Sequence, residues 1–519
     1  MHIHLSDTFA HTIRKCRHRH HELVLRPEKV RRILPVSLPP PRYPKMQTPG
    51  ATQELLSVFN QCSPRGYICV VLCFPCDDSR RGDAILHIQQ SLIRLAKERP
   101  LFAGRLYVTC DGRVVMRRSR AYDIPFTAIH SEPGKEVNYE QLTREEFPPG
   151  FFVRPRYGVG GLVESNQNAI PMSKVEVAFA RGGLFLSIYL QHSITDGGSL
   201  RVFLASFGNQ TRNVSANKLP SEQKLRVSSP GLQNVVSRKP SETVPFKKLI
   251  ASCPEYTILP DLSGPTQPVM KNAGIPIHDV AKIGRIFVFT TERLLKLRKL
   301  IKTMNNSPDL PTAYMSLAAL TFAHVTKARI AFEPAITGIE PSQTAALWNS
   351  VNWRTRAFPG TTDNYFGNAV LPAVTRVPRE QVNAACYQDE ELARLATLVR
   401  QSVNVVNEEY VSRRMAMMSQ APDPRIVGIN YDPRSPEALA FNTWRHFGAD
   451  AEWYIPGVPV SKPDVIRRAV GGWGLGTALI LPAKANSDRQ ELFVSLTVDA
   501  MDALCQDERW MRWVDKVVG

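Results

Sequence analysis

Apolar and polar positions follow two different periods along this chain from about residue 50 onward. In residues 84–95 the apolar side chains recur three and four positions apart, which predicts an amphipathic helix burying Ile85, Ile88, Leu92 and Leu95. Residues 184–190 follow a period of two instead, which predicts a strand. Segments of both kinds alternate, so the sequence predicts an α/β fold.

The second half of the chain shows the same mixture. Residues 285–289 and 491–496 predict strands, and the apolar residues 312–327 predict a helix. Since 519 residues exceed what one hydrophobic core usually organises, we expect two packed lobes. A stretch rich in Ser, Pro, Lys, Gln and Asn indicates a crossover between them. The predicted organisation is a basic, proline-containing, unstructured extension at 1–45, an N-terminal lobe at 46–208, a crossover linker at 209–270 and a C-terminal lobe at 271–519.

The formal net charge of +18 invites a nucleic-acid interpretation, because Lys and Arg supply most non-specific affinity for phosphates. Ten Lys and Arg against three Asp and Glu lie in residues 1–45, however, and the remainder is spread without an aromatic-interleaved recognition motif. A basic channel for an anionic co-substrate explains part of the charge equally well. We therefore expect no nucleic-acid partner.

The sequence contains no run of about 18 apolar residues, and no apolar segment follows the N-terminal charges. We therefore expect no membrane span, no secretory signal and a cytoplasmic location. Nine scattered cysteines predict free thiols rather than a disulfide framework. Cys73 and Cys76 form a CxxC without a second ligand pair, so no metal site is predicted there. The histidines at 18, 20 and 21 leave metal binding by the extension open.

The candidate chemistry lies in residues 191–198, Gln-His-Ser-Ile-Thr-Asp-Gly-Gly. The period of two places His192 at the end of the buried row of the strand before it. A helical pattern begins after the two glycines, so Asp196 is a candidate helix N-cap in the turn between them. A histidine in such a row is more often a core residue than a base, so this pattern alone does not establish catalysis.

Further motifs follow in a characteristic order: Val-Asn-Trp-Arg-Thr-Arg at 351–356, residues 364–370 with Tyr-Phe-Gly-Asn, and the segments 479–484 and 491–496. Together with the HxxxDG motif at 192–197 they resemble the BAHD acyltransferases, in particular the fungal trichothecene 3-O-acetyltransferase-like branch. The resemblance implies two chloramphenicol-acetyltransferase-like lobes with a channel between them. It also implies that His192 is the general base.

The same resemblance assigns further residues. It implies that Asp196 points away from the channel and pairs with an arginine, Arg354 or Arg356, and that Gly197 is structural at the site. For binding of cofactor or substrate it implies Tyr365, Phe366, Gly367, Asn368, Thr443 and Trp444. The DFGWG motif of the family is not intact, and residues 450–458 and 472–476 compete for its place. The first suits the family order better, because Asn-Thr-Trp at 442–444 precedes it and Lys-Pro at 462–463 follows it.

These expectations give a function. We expect transfer of an acyl group, most simply acetyl, from coenzyme A to a hydroxyl or amine of a small hydrophobic secondary metabolite. Acyl-CoA is then a co-substrate, no cofactor is permanently bound, no metal is needed, and the protein is a monomer. The alternatives are a carrier-protein-dependent condensation enzyme, which shares HxxxDG, and a catalytically inactive binding protein of the same fold.

Overall fold

The computed structural model describes residues 52–119, 121–130, 137–158, 169–213, 244–260, 268, 270, 273–360 and 365–519. These residues belong to one compact unit. The predicted extension at 1–45 and residues 214–243 of the predicted crossover lie outside the described residues.

The strands are numbered in chain order. They are β1 Thr52–Leu55, β2 Tyr67–Pro75, β3 Arg105–Val108, β4 Val114–Arg118, β5 Phe126–Ile129, β6 Ile170–Pro171, β7 Ser173–Ala180, β8 Gly183–Gln191, β9 Tyr256–Ile258, β10 Lys282–Thr290, β11 Thr344–Asn352, β12 Val370–Pro378, β13 Val427–Ile429, β14 Ala438–Thr443, β15 Val465–Ala469, β16 Thr477–Ile480, β17 Arg489–Thr497 and β18 Lys516–Val518.

The described residues form α-helices in both halves of the chain. These helices are Val58–Gln61, Arg81–Glu98, Tyr139–Arg144, Gly197–Thr211, Phe246–Ala251, Thr291–Met304, Ala313–Thr337, Arg379–Ala384, Asp389–Asn404, Glu408–Ser419, Val498–Gln506 and Glu508–Met511. Short 3-10 turns occupy Asp78–Arg80, Pro149–Phe152, Pro155–Tyr157 and Pro424–Ile426. No helix of the described ranges is long and apolar enough to cross a membrane.

The first core lies under a five-stranded sheet of order β15-β2-β8-β7-β5. Strands β2 and β8 are buried along almost their whole length, and they pair antiparallel with Tyr67 opposite Gln191. The helices Arg81–Glu98 and Gly197–Thr211 cover one face of this sheet through Ile88, Leu92, Leu95, Phe203 and Phe207. A continuously apolar central strand has no polar face to expose, so both faces must be covered.

The second core lies against a seven-stranded sheet of order β12-β11-β14-β16-β17-β10-β18. The helix Ala313–Thr337 packs here, and it is apolar on all sides because other elements surround it. The two cores, each with its own sheet, make the α/β two-lobe architecture that the resemblance implied.

Segments distant in sequence join the first core. Strand β15 pairs with β2 at the edge of the five-stranded sheet, with Ala469 opposite Cys69. Phe366 and Trp453 are buried in the same cluster. These contacts tie the two halves of the chain together.

The domain boundaries stay a prediction. Within the predicted linker the structure forms the helix Phe246–Ala251 and strand β9, and β9 pairs with β13.

The predicted elements occur where the pattern placed them. The helix expected over 84–95 extends over Arg81–Glu98, the strand over 184–190 is β8, and the strands over 285–289 and 491–496 are β10 and β17. The helix expected over 312–327 continues for about three further turns to Thr337. Gly338 ends it in the left-handed conformation, with φ 69°, which only glycine adopts without strain.

Candidate active site

His192 directly follows the last residue of β8, at the end of the buried sheet. Its backbone N–H donates to the carbonyl oxygen of Gly66 at 2.8 Å, which continues the pairing with β2 by one residue. Its own carbonyl oxygen accepts a hydrogen bond from Asn368 Nδ2 at 2.8 Å. The backbone of the histidine is therefore fixed on both sides, and the side chain is held on a rigid element.

The turn after His192 leads into the helix Gly197–Thr211. Asp196 is the N-cap of this helix, because its Oδ1 accepts a hydrogen bond from the backbone N–H of Ser199 at 2.9 Å. Gly197 lies against the ring of Phe447, and a Cβ at position 197 would lie 1.7 Å from Phe447 Cε2. The glycine of HxxxDG is thus required by close packing between the two halves of the chain.

The carboxylate of Asp196 points away from the cavity and forms a two-pronged ion pair with Arg354. The guanidinium donates from Nη1 to Oδ2 at 2.7 Å and from Nη2 to Oδ1 at 3.0 Å. Oδ2 also accepts from the backbone N–H of Ala369 at 2.9 Å. Of the two candidate arginines, Arg354 is therefore the partner. Arg356 instead donates from Nη1 to the carbonyl oxygen of Val403 at 2.9 Å.

The segment 365–368 supports the histidine turn from the second half of the chain. Phe366 is buried against Phe102 in the first core, with ring centroids 5.5 Å apart. The backbone N–H of Gly367 donates to Ser199 Oγ at 3.1 Å. The Tyr365 hydroxyl forms a hydrogen bond with Ser57 Oγ at 2.6 Å.

Asn368 makes the most direct of these contacts. Besides bonding the carbonyl of His192, its backbone N–H and its Nδ2 donate to Asn60 Oδ1 at 2.8 and 3.1 Å. The resemblance implied that residues 365–368 bind cofactor or substrate. In the structure these residues are buried behind the histidine turn, and they do not line the cavity that contains His192. Their polar groups form hydrogen bonds that hold the turn instead.

A cavity of about 510 Å³ opens beside His192. Its wall is mostly apolar, and its lining residues include Tyr67, Ile68, Trp348, Tyr431, Phe441 and Leu479. Both halves of the chain contribute to it, which matches the expected channel between lobes. A pocket of this size with few polar groups is typical of a small-molecule site.

The motif at 442–444 reaches this cavity in part. Asn442 and Trp444 line it, whereas Thr443 does not and uses its Oγ1 to accept from the backbone N–H of Arg445 at 3.3 Å. Trp444 is therefore the member of the predicted pair that is placed to contact a substrate.

The two segments that compete for the place of DFGWG have different roles. In 450–458, Trp453 is buried among Phe74 and Phe207, and Asp450 pairs with Lys462 at 3.0 Å. In 472–476, Trp473 stacks on Phe493 at 5.7 Å. The first segment packs on the first core, and which of the two takes the place of DFGWG stays a prediction.

The environment of His192 favours a neutral imidazole. Burial lowers the pKa of His192 below its ordinary value, and the carboxylate of Asp196 opposes this only in part. Burial alone would raise the pKa of Asp196, but the guanidinium of Arg354 and the N–H groups of Ala369 and Ser199 lower it, so the carboxyl stays ionised. Nδ1 of His192 is buried and has no hydrogen-bond partner among the described residues, and the residue itself lines the cavity. This arrangement can accept a proton.

Sequence reasoning missed Ser57, Asn60 and Phe447. Asn60 and Asn368 lie 308 positions apart, and Asn60 belongs to a one-turn helix without a motif of its own. No local pattern marks such a contact. Within the described ranges, no group of three or more His, Cys, Asp or Glu side chains is placed to hold a metal ion.

Comparison with known proteins gives relatives that match more than three quarters of this chain. A trichothecene 8-O-acetyltransferase of Fusarium sporotrichioides is 21% identical over 498 residues, covering 88% of this chain and 97% of the relative. A hydroxycinnamoyl-CoA:5-hydroxyanthranilate N-hydroxycinnamoyltransferase of Avena sativa is 25% identical, covering 77% of this chain and 81% of the relative.

Among solved structures, that of F. sporotrichioides TRI101 complexed with coenzyme A and T-2 superposes with a TM-score of 0.70. It is 18% identical, and the match covers 90% of this chain and 100% of that one. The family model described as the Transferase family matches residues 44–511. The chain therefore belongs to this transferase family, that of the BAHD acyltransferases.

Proposed function

We propose that this CoA-dependent acyltransferase moves an acetyl or closely related acyl group from coenzyme A to a hydroxyl or amine of a small, largely hydrophobic secondary metabolite, with His192 as general base. The observation that carries the proposal is an imidazole held on a rigid turn at the wall of a mostly apolar cavity of about 510 Å³, where burial lowers its pKa. The acetyltransferase and hydroxycinnamoyltransferase relatives support the reaction class.

The proposed reaction needs one proton relay. Nε2 of His192 accepts the proton of the acceptor hydroxyl as its oxygen attacks the thioester carbonyl carbon. The tetrahedral intermediate then collapses, the carbon–sulfur bond breaks, and the imidazolium returns the proton to the leaving thiolate. No acyl-enzyme is required, because the thioester already supplies an activated acyl group.

The ion pair of Asp196 with Arg354 has a positioning role in this scheme. Because the carboxylate is used by the guanidinium and by two backbone N–H groups, it does not contact the reacting atoms. It fixes the turn that carries His192 instead. The cytoplasmic location and the monomeric state remain predictions.

The proposal is tested by incubating the purified protein with acetyl-CoA and a panel of hydroxylated terpenoids and alkaloids. We expect acceptor-dependent release of free thiol. We also expect a product about 42 mass units heavier than the acceptor, because one acetyl group replaces one hydrogen atom. The His192→Ala variant is the matched control. Equal thiol release by the variant, or none from the parent protein with any acceptor, contradicts the proposal.

A further inference from the structure

Arg468 is a cation placed inside the substrate cavity. It lies in β15, opposite Val70 of β2, and β2 in turn pairs with β8, the strand that His192 directly follows. It lines the His192 cavity and also a neighbouring cavity formed with Val470 and Trp473. The strand spacing and register put positions 468 and 192 roughly 15 Å apart.

No acidic residue of the described chain is paired with Arg468. The described lining of both cavities contains neither Asp nor Glu, and the contact made by the guanidinium is with the ring of Trp444, 5.9 Å from its centroid. Its neighbour Arg467 is different. Arg467 donates to Glu491 at 2.6 Å and to the carbonyl oxygen of Phe147 at 3.0 Å, so it is a structural arginine.

The surroundings of Arg468 combine solvent access with a mostly apolar wall. The Arg468 side chain is exposed to solvent and lines the cavity, and desolvation by the surrounding wall lowers the pKa of its guanidinium. Arginine stays protonated even so. A cation in a cavity wall without a nearby carboxylate attracts an anion from solution, and the ring of Trp444 adds only a modest cation–π attraction.

We propose that Arg468 binds an anionic group of a substrate within the cavity that holds His192, a carboxylate of the acceptor or a phosphate of coenzyme A. The planar guanidinium presents a fork of N–H donors that matches either oxyanion. The inference rests on the proposed function for the identity of the ligands, and it adds that one substrate is recognised by charge some distance from the reacting carbonyl.

The test measures binding and needs no turnover. Calorimetry gives the dissociation constants of coenzyme A, 3-hydroxybenzoate and 4-hydroxycinnamate, and of the methyl ester of each acid. Each ligand is measured with the parent protein, Arg468→Gln and Arg468→Lys. We expect Arg468→Gln to weaken binding of at least one anionic probe about tenfold or more, with Arg468→Lys intermediate. If Arg468→Gln binds the acids more weakly but their esters equally well, the anionic group at Arg468 is a carboxylate of the acceptor. If only coenzyme A binds more weakly, the anionic group is a phosphate of coenzyme A.

Controls separate this site from a structural role. Arg394→Gln removes an exposed arginine that lines neither cavity and should leave all dissociation constants unchanged. Arg468→Gln should keep or raise the melting temperature, since it removes an unpaired cation. Equal binding by Arg468→Gln and the parent, or no binding of any anionic probe by the parent, overturns the inference. If anion binding depends on Arg468 while no acceptor is acylated, the site stands and the proposed function fails.

Discussion

Arg354 holds Asp196 by two hydrogen bonds of 2.7 and 3.0 Å, in a site where the carboxylate is 2% exposed. The two residues come from opposite halves of the chain, 158 positions apart. The pair therefore joins the turn that carries His192 to the strand and loop that follow β11.

Removing the carboxylate should destabilise the fold. Asp196→Ala removes the carboxylate that neutralises the guanidinium of Arg354 and the cap of the helix Gly197–Thr211, so we expect a loss of about 3 to 5 kcal/mol. Urea unfolding measures it. The double variant Asp196→Ala with Arg354→Met should lose less than the sum of the two single losses, and strict additivity would contradict a direct coupling.

Removing the base should affect the reaction and not the fold. His192→Ala is expected to lower turnover by roughly 10² to 10⁴, with coenzyme A affinity and melting temperature near those of the parent, because no buried partner charge is left behind. Steady-state kinetics and thermal melting check the two parts. Full turnover on a verified acceptor would rule out the general-base assignment, and an unfolded variant would make His192 a core residue.

The pH dependence follows from the lowered pKa of His192. The base acts in its neutral form, so the acid limb of kcat/KM should have its midpoint below pH 6.5. At pH values between the pKa of His192 in the folded protein and about 6.5, the unfolded chain binds more protons than the folded one. The stability that neutral His192 contributes is therefore present above this pH range and lost below it. An acid limb with its midpoint at or above 6.5 would contradict the lowered pKa.

Asn368 should act through the histidine turn. Asn368→Ala removes hydrogen bonds to the carbonyl of His192 and to Asn60, so we expect kcat to fall by about tenfold or more while KM for acetyl-CoA changes little. The buried carbonyl left unpaired also costs about 1 to 3 kcal/mol of stability. A rise in KM with kcat unchanged would show that Asn368 binds a substrate directly. Asn60→Ala should reproduce the kcat effect at lower amplitude.

Gly197 should be intolerant of any side chain. Gly197→Ala puts a methyl group onto the ring of Phe447, and we expect a loss of about 1 to 3 kcal/mol from the forced displacement. Adding Phe447→Leu makes room and should recover part of that loss. Gly150→Ala is the control, since a Cβ there meets nothing within 4 Å. Equal stability of Gly197→Ala and Gly150→Ala in thermal melting would contradict the packing argument.

The sequence by itself determined the local structure around the base. The period of two in residues 184–190 required a buried strand, and the apolar spacing after Gly198 required a helix, so His192 and the cap Asp196 had to lie in the turn between them. These features depend on neighbours within a few positions, where backbone geometry relates pattern to structure directly.

Only the tertiary structure decided which distant groups meet. Both Arg354 and Arg356 fitted the sequence as partners of Asp196, and packing after β11 turns one toward the carboxylate and the other toward Val403. The same holds for Asn60 against Asn368 and for Arg468 in the cavity wall. Contacts across hundreds of residues depend on how sheets and loops from two halves are brought together, and no local periodicity carries that information.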